Sequence, residues 1–180
     1  NAYALHNKTT EKTEITSGNY QGVHNEGLLT LNGGKYTNGS NTYAIYNNTN
    51  GNLKINDADI TSTSYGIYNN ATMTLDGGDV SASIAVVNEG TCVINNANIT
   101  ATSRGISNAN NITINDINIK SSDIGVYNTA TTKITGGEII STNHGVYNYT
   151  GTTTINGGNI SSTSGIGLVY EQGETIVNGG

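Results

Sequence analysis

The chain of 180 residues contains 24 Gly, no Pro, Phe or Trp, and a net charge of −6. The absence of a basic patch argues against nucleic acid and against an anionic membrane surface as partners. No apolar run reaches the about 18 residues of a transmembrane helix, so we expect no direct membrane insertion. The lone cysteine excludes an intrachain disulfide.

A pentapeptide that ends in asparagine recurs about every 20 residues, as in Tyr65-Gly-Ile-Tyr-Asn69. Self-similarity at this period is typical of solenoids and repeat arrays. The final residues of the successive copies are Asn7, Asn25, Asn47, Asn69, Asn88, Asn108, Asn128 and Asn148. We interpret these asparagines as a structural ladder, because stacked amides stabilise in-register parallel strands and satisfy turn backbone groups.

One repeat, taken in chain order, predicts three short strands. Residues 60–63 alternate apolar and polar side chains, residues 65–69 form the pentapeptide, and residues 72–75 alternate again. Asn, Asp and Gly between these segments are typical turn residues. No segment shows the apolar period of a helix.

When the repeats are aligned, three apolar columns emerge, one for each strand. The first contains Leu5, Val23, Ile45, Ile67, Val86, Ile106, Val126, Val146 and Leu168. The second contains Ile15, Tyr36, Ile60, Val80, Ile99, Ile119, Ile139 and Ile160. The third contains Leu31, Ile55, Leu75, Ile94, Ile114, Ile134, Ile155 and Val177. Cys92 aligns with apolar positions and is expected in the core.

Three apolar columns predict an all-β fold, a right-handed parallel β-helix (β-solenoid) with three short strands per coil. About eight to nine coils of about 20 residues, stacked roughly 4.8 Å apart, make a rod of roughly 40 Å. Residues 1–180 are predicted to form a single domain. Because the chain begins within a repeat, we expect a segment of a longer repeat protein.

A further column holds only Ala or Gly: Ala4, Gly22, Ala44, Gly66, Ala85, Gly105, Gly125, Gly145 and Gly167. The alanines argue against a general need for positive φ, so we predict a packing limit instead. The ladder is expected to end at Tyr170, which stands where the next asparagine would lie.

Two motifs carry a family resemblance, Gly-(Ile/Val)-Tyr-Asn and (Ile/Leu)-Asn-Gly-Gly-x-Ile, the second seen at residues 155–160. They resemble the repeats of bacterial right-handed parallel β-helix surface proteins, including adhesin-like proteins and autotransporter passengers. They are also similar to the repeats of chlamydial polymorphic outer-membrane proteins. The resemblance implies a bacterial, secreted or cell-surface rod involved in attachment to a protein or glycan surface of a host or neighbouring cell.

Outward positions next to the ladder offer a candidate binding surface: His6, His24, Tyr46, Tyr68, Tyr127 and Tyr147. Tyrosine rings give flat apolar area with a polar tip, which suits sugars or protein partners. The alternative interpretation is cross-coil stacking, since β-surfaces favour aromatic side chains anyway.

Two rows of hydroxyl side chains suggest ice binding as another function. One row contains Thr61, Ser81, Thr100, Lys120, Ile140 and Ser161, and its partner contains Thr63, Ser83, Thr102, Ser122, Thr142 and Thr163. Lys120 and Ile140 interrupt the first row, and Thr is common at outward β positions in any case.

A row of acidic and amide side chains precedes the second apolar column: Asp59, Asp79, Asn98, Asn118, Glu138 and Asn159, with Asp57 and Asp116 nearby. A calcium site needs about six to eight converging oxygens. We interpret the row as turn preference and predict no metal site and no cofactor.

The resemblance, together with the absence of a catalytic cluster in the sequence, favours a non-catalytic adhesin-like stalk or binding rod. A self-assembling extracellular filament is an alternative, because open solenoid ends invite end-to-end pairing. A polysaccharide-cleaving β-helix enzyme is another, but such enzymes need clustered carboxylates that this sequence does not display.

Overall fold

The alternating apolar pattern forms short strands that pair in parallel with matching strands one coil away. In the computed structural model, which describes residues 3–180, Tyr65–Asn69 pairs with Tyr43–Asn47, and Thr72–Asp76 pairs with Asn52–Asn56. The predicted all-β parallel solenoid with about 20 residues per coil is confirmed.

Three walls enclose the core. The ladder wall contains Leu5–Asn7, Val23–Asn25, Tyr43–Asn47, Tyr65–Asn69, Ile124–Asn128, His144–Asn148 and Ile166–Tyr170. The second wall contains Thr13–Ile15, Leu28–Asn32, Asn52–Asn56, Thr72–Asp76, Thr91–Asn95, Asn111–Asn115, Thr131–Ile134, Thr152–Ile155 and Glu174–Val177. The hydroxyl wall contains Asn19–Gln21, Lys35–Thr37, Asp59–Thr61, Ile117–Ser121, Gly137–Ser141 and Asn159–Ser162.

Two long strands join the hydroxyl wall to the ladder wall. Asp79–Asn88 and Asn98–Asn108 each run around the corner between the two walls without interruption. The two walls therefore form one 15-stranded sheet, while the second wall is a separate 9-stranded sheet. The expected three strands per coil are present, and in these two coils a pair of them is continuous.

The apolar columns fill the interior of the middle coils as predicted, whereas Val177 in the last coil is 56% exposed. Ile67, Leu75 and Ile94 are each 0% exposed, and Cys92 is 1% exposed beside them. Burial of each such aliphatic side chain stabilises the fold by about 1.5–3 kcal/mol relative to exposure. Cys92 is thus a core residue, and its burial raises the pKa of the thiol.

The predicted position of Ile15 is wrong. Ile15 pairs with Leu31 on the second wall, and Tyr20 is the residue that lies opposite Tyr36 on the hydroxyl wall. The first turn is two residues longer than the second, since Thr13 lies six positions after Asn7, whereas its partner Leu29 lies four positions after Asn25. The turn after Asn47 has the same greater length, and Ile55 that follows it also lies on the second wall. The extra two residues shift the strand relative to the repeat.

The small column is a packing limit, as predicted. A Cβ on Gly125 would lie 2.4 Å from the carbonyl oxygen of Gly145 and 2.4 Å from the Ile139 Cγ2. A Cβ on Gly105 would lie 2.5 Å from the carbonyl oxygen of Gly125 and 2.5 Å from the Ile119 Cγ2. Gly22 differs, because its φ of 82° is left-handed and glycine is preferred there for that reason as well.

The asparagines of the ladder wall bond amide to amide up the solenoid. Each side-chain Nδ2 donates to the Oδ1 of the next asparagine, at 2.7–2.9 Å from Asn7 through Asn148. The same Nδ2 atoms also reach turn carbonyls, for example Asn88 to Gly90 at 2.9 Å. The ladder ends as predicted, with the 67% exposed Tyr170 opposite Asn148.

Turns after the second wall require left-handed backbone, which explains several of their acidic and amide residues. Asp57, Asn96 and Asp116 have φ of 47°, 52° and 49°, a conformation that Asp and Asn tolerate better than other side chains. The carboxylates of Asp57 and Asp116 thus mark turns, in agreement with the interpretation from the sequence.

Candidate functional site

The predicted aromatic positions lie in register along the outer face of the ladder wall. His24 is opposite Tyr46, Tyr46 is opposite Tyr68, and Tyr127 is opposite Tyr147. Their ring centroids are 5.1, 5.8 and 5.5 Å apart. The rings are half-buried and contact one another across the coils at tilted or edge-on angles of 41°, 66° and 45°, so cross-coil ring contacts help to hold them.

A second aromatic column lies beside the first one. Tyr43 and Tyr65 begin their pentapeptides, and the Tyr43 ring meets the edge of Tyr68 at 4.9 Å. We call these residues the N-terminal aromatic cluster: Tyr3, His6, His24, Tyr43, Tyr46, Tyr65 and Tyr68.

Tyr3, Tyr43 and Tyr65 were not predicted as surface residues, because the alternation breaks inside the pentapeptide. Gly66 and Ile67 are both buried, whereas Tyr65 and Tyr68 both face outward. The chain turns a corner at the small residue, so the side chains at positions one and four share a face. Strict period-2 alternation would place Tyr65 inward with Ile67.

A smaller cluster lies toward the other end of the same face. Its members are Tyr127, His144, Tyr147 and Tyr149. The Arg104 guanidinium lies 4.1 Å from the Tyr127 ring centroid, a cation–π contact. Two coils, with Val87 and Ser107 at the aromatic position, separate this C-terminal aromatic cluster from the N-terminal one.

Hydrogen bonds hold the phenol groups in place. Tyr68 Oη donates to Glu89 Oε1 at 2.5 Å, and Tyr147 Oη donates to Glu171 Oε1. The bond to Glu171 raises the pKa of Tyr147 to about 12, and burial together with Glu89 raises the pKa of Tyr68. Both phenols are therefore neutral across the physiological pH range.

One group of side chains at the first coils has donor atoms suited to a metal. The donor atoms of His6, His24 and Glu26 all lie within 4.8 Å of one another. No metal site was predicted from the sequence, and Glu26 was not among the candidates, since this residue follows the ladder asparagine in a turn. Only the two imidazoles were recognisable from the repeat.

The first hydroxyl row is in register on the hydroxyl wall, whereas the pairing shifts between Ala82 and Ile84, at the level of the partner row. Thr61 pairs with Ser81, and Thr100 pairs with Lys120. Lys120 and Ile140 are opposite one another, so the first row is broken in the middle of the wall. A shallow depression there is lined by Thr100, Lys120 and Ile140.

The acidic row forms an exposed series of side-chain contacts. Asn98 Nδ2 donates to Asp79 Oδ1 at 3.0 Å, and Asn118 Nδ2 donates to Asn98 Oδ1 at 3.1 Å. Each coil contributes one side chain to this row, so its oxygens lie along a line and do not converge. The arrangement satisfies neighbouring amides rather than enclosing a cation.

The comparisons with known proteins add no family. No protein-family model matches the chain, and neither a curated protein nor a solved structure matches it. Within residues 3–180, no helix has the length and apolar character of a membrane span. The fold assignment rests on the strand register and burial of this chain itself.

Proposed function

We propose that the chain is a non-catalytic, adhesin-like binding rod of a bacterial cell surface or secreted protein, and that it binds an extended glycan along the ladder wall. The observation that carries this proposal is the pair of aromatic clusters on one face of the solenoid. The repeat motifs, which resemble those of bacterial surface solenoids, support an extracellular location.

Tyrosine rings suit carbohydrate for two reasons. Their faces cover the apolar C–H side of a sugar ring, and their hydroxyl groups lie at the polar edge. Here the rings are also restrained, since Tyr46 Oη accepts a hydrogen bond from Asn70 Nδ2 at 3.1 Å and Tyr68 is bonded to Glu89. Side chains that are ordered before binding lose less entropy on binding.

The solenoid supplies length as well as a surface. The two clusters occupy different coils of one continuous wall, so a single linear ligand lying along the axis can contact both. Weak contacts that are linked in this way act together, because the second contact forms at a high effective concentration. This arrangement favours an extended ligand over a small one.

A glycan array tests the proposal with a variant in which Tyr46, Tyr68, Tyr127 and Tyr147 are changed to Ser. We expect the wild-type chain to bind at least one class of glycan and the variant to lose at least about tenfold in affinity, because stacking contacts are removed. A matched control changes Thr74 and Thr113 to Ala on the outer face of the second wall. Circular dichroism of each variant is the control for folding.

The outcomes separate the parts of the proposal. Unchanged glycan binding in the tyrosine variant would exclude the ladder wall as the binding surface. Binding of a protein partner without any glycan would replace the ligand class while retaining the wall. Cleavage of a polysaccharide by the purified chain would contradict the non-catalytic role.

End-to-end self-association is a second candidate. Ile166, Tyr170 and Val177 in the last coil are 57%, 67% and 56% exposed. Another stacked coil would cover these side chains, whether it came from the same polypeptide or from a second copy. Size-exclusion chromatography over a range of concentrations tests this, and a monomer at all concentrations would exclude self-association of residues 1–180.

A further inference from the structure

Two histidines and a glutamate come together on the first two coils of the ladder wall. His6 in Leu5–Asn7 is the register partner of His24 in Val23–Asn25. The imidazole centroids are 4.5 Å apart with an interplanar angle of 6°. Glu26 immediately follows the second strand and turns its carboxylate toward both rings. The parallel register thus brings together residues that are 18 and 20 positions apart.

The donor atoms already have the spacing of metal ligands. Glu26 Oε1 lies 3.2 Å from His6 Nε2 and 3.2 Å from His24 Nε2. Zinc binds nitrogen and oxygen ligands at about 2.0–2.2 Å in a tetrahedron, which separates neighbouring ligand atoms by roughly 3.3 Å. Two of the three ligand–ligand distances therefore fit, and the set of two imidazoles and one carboxylate leaves a fourth position open.

The Nε2 atom of His24 has no hydrogen-bond partner at this site. Its side chain is 15% exposed, and its buried Nε2 has no hydrogen-bond partner despite the nearby carboxylate. Buried polar atoms in proteins are nearly always partnered, so an exception calls for an explanation. A metal ion at the site would supply the missing partner.

Ligation at this site is linked to protonation. Burial, with the neighbouring His6 as the next cause, lowers the pKa of His24. The hydrogen bond from His6 lowers the pKa of Glu26. Metal ligands must be a neutral imidazole and an ionised carboxylate, and binding releases any proton that competes for the same atom.

The geometry also indicates what must move. Two parallel imidazoles cannot both direct an in-plane lone pair at one ion, so one of the rings has to tilt. The His6 side chain is 36% exposed and is free to do so, whereas His24 is held between Tyr3 at 5.0 Å and Tyr46 at 5.1 Å. The ion would enter from solvent on the His6 side.

We propose that His6, His24 and Glu26 bind a zinc-class transition-metal ion with a water molecule in the fourth position. Imidazole nitrogens select zinc, nickel or copper over calcium and magnesium, which prefer oxygen ligands. The ion joins the first coil to the second, so it acts as a clamp on this end of the solenoid. The metal site goes beyond the proposed function, and it shares His6 and His24 with the N-terminal aromatic cluster.

Calorimetric titration of metal-free, untagged protein with zinc chloride tests the site. We expect one zinc ion per chain, and we expect Glu26→Gln and His6→Gln each to weaken binding by at least about tenfold, since each loses one of three ligands. His144→Gln is the matched control, because His144 also lies on the ladder wall but outside the group of His6, His24 and Glu26. Its zinc affinity should equal that of the wild-type chain.

A second readout separates coordination from a general effect on folding. Zinc should raise the melting temperature of the wild-type chain and of His144→Gln, and it should not raise that of Glu26→Gln. Cobalt in place of zinc should give the visible absorption of a tetrahedral nitrogen–oxygen site. Calcium at the same concentration should produce neither signal.

Two results would overturn the proposal. One is the absence of binding heat up to about 1 mM zinc, a concentration at which even a weak site of about −4 kcal/mol is half-filled. The other is unchanged zinc affinity in both His6→Gln and Glu26→Gln while these variants remain folded. Because both side chains are partly exposed, we expect both variants to fold.

Discussion

Two asparagine ladders run along this solenoid, and they differ in burial. The ladder on the ladder wall is enclosed, with Asn47, Asn88 and Asn128 each 0% exposed. The second, which we call the outer ladder, runs along the ends of the second-wall strands and is half-buried: Asn32, Asn56, Asp76, Asn95 and Asn115. Both use side-chain bonds between coils, for example Asn115 Nδ2 to Asn95 Oδ1 at 2.8 Å.

The two ladders differ in composition in the way that burial would require. The enclosed ladder has asparagine at every position from Asn7 to Asn148, and each amide is shared between a neighbouring amide and the backbone. The outer ladder also contains two residues other than asparagine, Asp76 and Thr135. Thr135 Oγ1 donates a hydrogen bond to Asn115 Oδ1 at 2.7 Å. Water can satisfy an exposed group, whereas an enclosed group depends on its protein partners.

The largest effect is expected for Asn88→Asp in the enclosed ladder. Asn88 Nδ2 donates to Asn108 Oδ1, to the Gly90 carbonyl and to the Asn111 carbonyl, so a carboxylate there would face three acceptors. We expect a loss of about 3–5 kcal/mol in the free energy of unfolding at neutral pH. Urea denaturation measures it.

The loss of stability in Asn88→Asp should depend on pH. Burial raises the folded-state pKa of the introduced carboxyl group above its unfolded value. The protonated form is therefore tolerated best, and the deficit should be smallest below pH of about 4 and grow as the pH rises. A deficit that is independent of pH would show that the site is open to water.

A smaller effect is expected for Asn88→Ala. This change leaves the Asn108 Oδ1 and the Gly90 carbonyl without their donor, which costs about 2–4 kcal/mol. Asn95→Ala is the matched change in the outer ladder, where Asn95 donates to Asp76 and accepts from Asn115. We expect about 1 kcal/mol or less there, and equal losses in the two variants would contradict the role of burial.

The smallest effect is expected for Asp76→Asn, which makes the outer ladder more like the enclosed one. The substitution removes an ion pair of 3.4 Å with Lys54, both of whose side chains are partly exposed. Such a pair contributes little to stability, so the free energy of unfolding, measured by thermal denaturation, should change by less than about 1 kcal/mol. A loss above 2 kcal/mol, by the same scale, would mean that the outer ladder requires its charge.

Much of this architecture could be read from the repeat because its columns are strict. Ile67, Ile106 and Val126 recur at one position with only aliphatic neighbours above and below, and each is fully buried. The first coil was harder, since two extra residues in its turn shifted Ile15 to another wall. The turn after Asn47 has the same extra length and Ile55 was assigned correctly there, so the spacing was readable and the first coil was misaligned.

The candidate surface was only partly predictable. The column of His24, Tyr46 and Tyr68 follows from alternation, but Tyr43 and Tyr65 face the same way because the chain bends at Ala44 and Gly66. Glu26 is adjacent in the sequence to a ladder asparagine, and nothing in the repeat marks it as a partner of His6. Contacts between turns depend on how coils stack in three dimensions.

The sequence by itself determined the periodic features of this protein: the parallel solenoid, the apolar columns, and the ladder from Asn7 to Asn148. These depend on a period that stacking repeats identically in every coil. The tertiary structure alone decided which outward side chains meet, including the second aromatic column and the group of His6, His24 and Glu26. The second aromatic column depends on a corner bend that recurs from coil to coil but breaks the period-2 alternation. The group around Glu26 depends on the conformation of one turn, which the repeat does not encode.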